Sequence, residues 1–106
     1  MTVKEAFDNM PATFQKDKAA GMNAVYQFNV TGEGGGEWNA VITDGELTVN
    51  EGTHDSPSIT LTVSAADWLD VLSGKLNGQM AFMSGKLKIA GNMGLAMKLG
   101  TIFQLG

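Results

Sequence analysis

The side chains able to do covalent or metal chemistry are few. His54 is the single histidine, cysteine is absent, and the eleven carboxylates are scattered through the first seventy residues. A metal site needs three or four converging ligands, and acid–base or nucleophilic catalysis needs a base within hydrogen-bond reach of the group it activates. No ligand trio and no nucleophile stands at usable spacing from His54, which reads as a solvated loop residue. The sequence is therefore expected to be non-catalytic, with no cofactor and no metal. Disulfides, thiolate ligands and cysteine catalysis are excluded outright. The run Gly34-Gly35-Gly36 is no phosphate cradle either, because such a loop needs a lysine and a helix directly after it, and here a strand pattern follows.

What the chain offers instead is apolar surface. Gly74–Gly100, reading GKLNGQMAFMSGKLKIAGNMGLAMKLG, holds four of the seven methionines, Met80, Met83, Met93 and Met97. Leu76, Phe82, Leu87, Ile89, Leu95 and Leu99 accompany them, and the only charges are Lys75, Lys86, Lys88 and Lys98. Methionine is flexible and polarisable, and suits a surface that must fit several apolar shapes; an ordinary core prefers branched side chains with defined rotamers. Two readings stand at this point, an adaptable binding site and a methionine-rich packed core.

Charge is unevenly spread. Residues 1–74 carry all eleven acids and three lysines, a balance of −8, whereas residues 75–106 carry four lysines and no acid, leaving −4 for the whole. An acidic chain lacks the basic footprint that phosphate backbones require, so no nucleic-acid partner is expected. The local basic patch suits either transient contact with an anionic membrane surface or simple solvation.

At 106 residues the length suits a single domain over 1–106 with one core. No apolar run approaches the roughly 18 residues that would span a bilayer. The start, MTVKEAFDNM, is charged and amphipathic rather than basic then apolar, which points to a cytoplasmic protein.

The elements that would position the apolar stretch follow from periodicity. Thr2 and Glu5 form a capping box, and Val3, Phe7, Met10 and Phe14 recur at helical spacing, with a break expected at Pro11. Ala24, Tyr26, Phe28 and Val30 alternate with Val25, Gln27 and Asn29, predicting a strand with one wet face. Trp38, Ala40 and Ile42 predict a second strand and, after the Asp44-Gly45 turn, Leu47 and Val49 a third. Asn50–Pro57 reads as a loop crossing the sheet, and Ile59, Leu61 and Val63 as a fourth strand. Ser64 and Asp67 cap a helix whose apolar face is Trp68, Leu69, Leu72 and Leu76, closed by Gly74. Asn77 starts a short helix that Gly85 stops, Lys86–Ala90 alternates as a fifth strand, and Asn92 caps a last helix ending at Gly100. That helix is apolar over most of its circumference, so something must cover it.

The segment SGKLNGQMAFMSG followed by GKLKIAGNMGLAMKL closely resembles the closing segment of the sterol carrier protein 2 family of lipid-binding domains. Upstream, AGMNAVYQFNVTGEGGGEW and ITDGELTV resemble that family's opening hairpins. The resemblance is dense over residues 73–99 and thinner before them. It implies an α/β (α+β) fold in the order α-β-β-β-crossover-β-α-α-β-α. The implied architecture is a five-stranded, mixed, mostly antiparallel sheet, with helices covering one face and an apolar tunnel between the layers. It also implies non-catalytic binding and intermembrane transfer of fatty acids, fatty acyl-CoA, sterols or similar molecules. Family members imported into peroxisomes end in a targeting tripeptide, and Gln104-Leu105-Gly106 departs from it.

The candidate lining combines Phe28, Trp38 and Ile42 from the sheet, Leu72, Met80, Phe82 and Met83 from the middle helices, and Met93, Met97, Ile102, Phe103 and Leu105 from the last helix and tail. The tail could be a lid over the ligand or part of the core. A head group could be held by Gln79, Gln104 or the helix-start amides near Asn92. Burying about 14 methylenes at ~0.8 kcal/mol each gives on the order of 11 kcal/mol before the costs of association, enough for micromolar binding with few polar contacts. The chain would act as a monomer or a homodimer, and a dimerisation or accessory module of a larger assembly is the alternative.

Overall fold

Thr2 opens the first helix. Its hydroxyl accepts from the Glu5 N–H at 3.1 Å while its own N–H donates to the Glu5 carboxylate at 2.8 Å, the reciprocal box that the spacing predicts. The Thr2 backbone N–H, and second to it the Thr2 hydroxyl, hold the Glu5 carboxyl below the usual carboxylate range. The computed structural model describes residues 2–103. Helix α1 (Val3–Asp8) buries Val3 and Phe7, and the break falls at Asn9, after which the short α2 (Met10–Thr13) takes Pro11 in its first turn. Proline is tolerated there because the first-turn N–H has no intrahelical acceptor to lose.

Strands β1 (Ala24–Thr31), β2 (Gly36–Thr43) and β3 (Glu46–Glu51) form an antiparallel meander. The second hairpin turns on Asp44 (φ 50°) and Gly45 (φ 78°), the two left-handed residues that a type I′ turn needs. Glycine also eases the close approach of the chain here, since a Cβ on Gly45 would stand 3.2 Å from the Ala19 carbonyl oxygen. After β3 the chain crosses the sheet and enters β4 (Ile59–Ser64), which lies parallel to β1. Helix α3 (Ala65–Leu72) and helix α4 (Gly78–Met83) then lead to β5 (Leu87–Gly91), antiparallel to β4, and α5 (Met93–Ile102) closes the described chain. The strand order is β3-β2-β1-β4-β5, a mixed five-stranded sheet.

Register sorts the side chains into two layers. Tyr26 faces Ala40 and Ile59 across β1, and Phe28 faces Trp38 and Leu61; all are buried beneath the helices. Phe7 stacks on Trp38 at 4.6 Å and stands edge-on to Phe28 at 5.1 Å, while Trp68 of α3 lies 5.4 Å from Phe28. This aromatic cluster is the centre of the core, and ring pairs at these distances add to the energy of burial.

The opposite face of β1 departs from the wet face expected of it. Gln27 is buried, with Asn39 beside it, because the crossing loop lies over them. Gln27 Oε1 accepts from the His54 backbone N–H at 2.8 Å, Gln27 and Asn39 both donate to the Gly52 carbonyl, and Asn50 donates to Asn39 Oδ1. Satisfied amides are what allow polar side chains to be buried there. His54 is thus half-buried, its backbone anchors the loop, and its Nδ1 accepts from the Ser56 N–H at 3.0 Å.

Candidate ligand-binding site

The middle helices start and stop where the sequence says. Ser64 accepts from the Asp67 N–H at 3.2 Å, Asn77 Oδ1 from Gln79 and Met80, and Asn92 Oδ1 from Gly94 and Leu95. Ser64 and Asp67 make only this one arm of the expected box. The glycines that follow α3 and α4, Gly74 and Gly85, both take positive φ, which ends each helix and turns the chain back. The buried face of α3 is Ala65, Trp68 and Val71, with Leu69 and Leu72 half-buried at its edge, a rotation from the stripe expected. Val71 takes the inner position toward the start of α4, where a Cβ added to Gly78 would come within 4.0 Å of its side chain.

Helix α5 runs two residues beyond Gly100, to Ile102. Gly100 carries ordinary helical dihedrals rather than a left-handed cap, and the helix ends only where Phe103 bridges to Phe14. The Ile102 carbonyl accepts from the Gln15 N–H at 2.6 Å, and the Phe14 and Phe103 rings stand 5.4 Å apart. Leu99, Ile102 and Phe103 are buried by this arrangement. The expectation of a tail lid therefore divides: Ile102 and Phe103 are core, and Leu105, with Gln104, lies outside the described residues.

The other face of α5 is open. Met97 is 82% exposed, Met83 77%, Met80 65%, Met93 46% and Phe82 40%, all on α4 and α5. Only Ala81 anchors α4 as a fully buried side chain. Both helices pack on β5, an edge strand whose Ile89 is itself half-buried. The candidate lining thus falls into two sets. Phe28, Trp38, Ile42, Ile102 and Phe103 are spent on the protein's own core, Leu72 is half-buried between them, and Met80, Phe82, Met83, Met93 and Met97 present apolar surface outward.

Polar groups around this surface are sparse. The helix-start amides at Gly94 and Leu95 are already bonded to Asn92, which removes them as head-group donors. The buried indole Nε1 of Trp68 has no hydrogen-bond partner among the described residues. Tyr26, fully buried, donates its hydroxyl to the Leu95 carbonyl at 2.7 Å and so ties α5 to the sheet. Burial pushes its phenol up to about 12. Sequence reasoning missed both aromatic polar atoms, because alternation marks them only as core. A surface depression lined by Lys16, Asp17, Ala20, Gly21, Asp44 and Gly45 includes none of the candidate residues. Among the described residues no group of histidine and carboxylates could hold a metal ion, and no helix is long and apolar enough to cross a membrane.

Three relatives bear on this site. The chain is 42% identical over 85 residues to the peroxisomal multifunctional enzyme A of Dictyostelium discoideum, a match covering 78% of this chain and 19% of that protein. It is 40% identical over 98 residues to the hydroxysteroid dehydrogenase-like protein 2 of Bos taurus, covering 92% and 23%. The chain therefore spans only about a fifth of the length of these relatives. Among solved structures, the palmitated sterol carrier protein 2-like 2 of Aedes aegypti superimposes with a TM-score of 0.78 at 25% identity, covering 96% of this chain and 94% of that one. The profile of the SCP-2 sterol transfer family matches residues 4–104, and with the five-stranded sheet and its helical cover this places the chain in that family.

Proposed function

We propose that this chain is a non-catalytic lipid carrier that binds and transfers fatty acids, fatty acyl-CoA, sterols or similar molecules. The observation that carries the reading is the outward set Met80, Phe82, Met83, Met93 and Met97, apolar surface left over once the aromatic core is complete. A soluble domain does not ordinarily leave so many large apolar side chains in water without a use for them. Their flexibility suits a chain-like ligand of variable shape. The ligand lies over Ile89 beside α4 and α5, with Leu72 and the buried sheet residues Phe28, Trp38 and Ile42 behind it. The solved palmitated relative supports a fatty chain as one such ligand. The exposed Gln79 amide at the start of α4 is a donor for an oxygen-bearing head group.

Titration with a fluorescent long-chain fatty acid tests this. Saturable one-to-one binding at micromolar concentration or tighter, reversed by unlabelled lipid, is the expected result; a folded sample that binds nothing up to high micromolar concentrations refutes it. A second reading has its own support. Because the chain spans only about a fifth of these relatives, the domain could serve as a dimerisation or accessory interaction module of a larger assembly. A tight dimer free of lipid in native mass spectrometry would favour that role over a free carrier.

A further inference from the structure

Helices α4 and α5 sort their side chains by reactivity as well as by burial. The redox-inert residues Ala81, Leu99 and Ile102 face the core, whereas the thioethers of Met80, Met83, Met93 and Met97 are exposed. Met80 and Met83 stand three residues apart on α4, and Met93 and Met97 four apart on α5, so each pair shares a helix face. The other methionines among the described residues are less open, Met22 being half-buried and Met10 buried. No cysteine competes for an oxidant, and both tryptophans, Trp38 and Trp68, are buried. The easily oxidised sulfur of the described chain is therefore concentrated on the one surface that is left apolar and open.

We propose that these four methionines are a modification site through which peroxide closes the lipid-binding surface. A thioether sulfur attacks one oxygen of hydrogen peroxide or an organic hydroperoxide. The S–O bond forms as the O–O bond breaks, and the displaced oxygen takes the proton and leaves as water or an alcohol. Methionine is oxidised to its sulfoxide and the peroxide is reduced. A flexible apolar side chain thereby becomes a polar one. A fatty chain laid over it would bury the sulfoxide oxygen unpaired, since the apolar side chains of the same elements, Phe82, Ile89 and Leu95, carry no donor. Methionine sulfoxide reductases reverse the change, the oxygen leaving as water while a dithiol is oxidised to a disulfide. The inference rests on the carrier reading in one respect, that this surface takes lipid. It then runs in both directions: sulfoxide excludes the lipid, and a bound lipid shields the sulfur.

Hydrogen peroxide titration of the folded protein tests it, read by peptide mass mapping and by fluorescent fatty acid binding on the same samples. Met83 and Met97 should gain oxygen first, Met80 and Met93 next, and Met22 and Met10 last. The oxidised protein should keep its far-ultraviolet circular dichroism and bind fatty acid at least about tenfold more weakly. Methionine sulfoxide reductases for both epimers, with dithiothreitol, should restore the affinity. The variant M80L/M83L/M93L/M97L keeps the surface apolar without its sulfurs, and should bind equally before and after peroxide. M83Q/M97Q, polar from the outset, should bind weakly without peroxide. Free fatty acid at ten times its Kd should slow oxidation of the four by about tenfold and leave Met22 unaffected. Unchanged affinity after all four are oxidised, an equal loss in the leucine variant, or no protection by fatty acid would overturn the proposal. Failure of the carrier reading looks different. The unoxidised protein would then take no fatty acid at all, whereas failure of this proposal alone leaves a protein that binds fatty acid and is indifferent to peroxide.

Discussion

A single hydroxyl fastens the last helix to the sheet. Tyr26 lies in the middle of β1, and its donation to the Leu95 carbonyl fixes the N-terminal half of α5, the part that carries Met93 and Met97. Replacing Tyr26 by Phe keeps the ring and removes this bond, so it should cost on the order of 1 kcal/mol in denaturant titration. The phenol also sets an alkaline limit. Its pKa is near 10 in the unfolded chain and about 12 in the folded one. The neutral form is therefore favoured by folding, the contribution is complete below pH 10, and it is lost as pH rises from 10 to 12. A two-unit shift corresponds to about 3 kcal/mol, and Tyr26→Phe should flatten that part of the stability–pH curve. An unchanged slope above pH 10 in the variant would show that other groups govern alkaline unfolding.

At the scale of elements, the two ends of α5 do different work. Its C-terminal end is core, where Phe103 is fully buried and packs on Phe14, so Phe103→Ala should cost roughly 3–5 kcal/mol, a large share of the 5–15 kcal/mol that holds a domain together. Met97→Ser, on the open face, should change stability by no more than about 0.5 kcal/mol. Thermal or urea unfolding of the two variants checks the contrast, and equal losses would mean that Met97 is packed. Much of this element plan was legible in the residues, because caps and periodicity are local. Thr2, Ser64, Asn77 and Asn92 marked four helix starts, and the Asp44-Gly45 turn fixed one hairpin. What escaped was set by distant chain. Gln27 looked solvated because nothing in its neighbourhood reveals that the Gly52–His54 loop lies over it. Gly100 looked like a stop because the Phe14–Phe103 bridge, which decides where α5 ends, joins residues at opposite ends of the sequence. The candidate site mixed core with surface for a related reason: an alternating or helical pattern identifies apolar positions, not which of them the rest of the fold will cover.

At the scale of the whole molecule, the sheet separates two tasks. One part of its helical face, under α1 and α3, is closed by the aromatic cluster and supplies stability. The other, under α4 and α5, keeps five large apolar side chains outward, the surface proposed above to take lipid. A charge of −8 before residue 75 and +4 from residue 75 onward follows the same division. The methionines themselves report on the central claim. Methyl-labelled methionine resonances can be followed by NMR while a long-chain fatty acid is added to saturation. The account predicts that the methyls of Met80, Met83, Met93 and Met97 shift together along one saturable curve, while that of Met10, buried beside the first helix, stays in place. Saturation that moves none of the four, or that moves Met10 instead, would contradict a lipid site on α4 and α5.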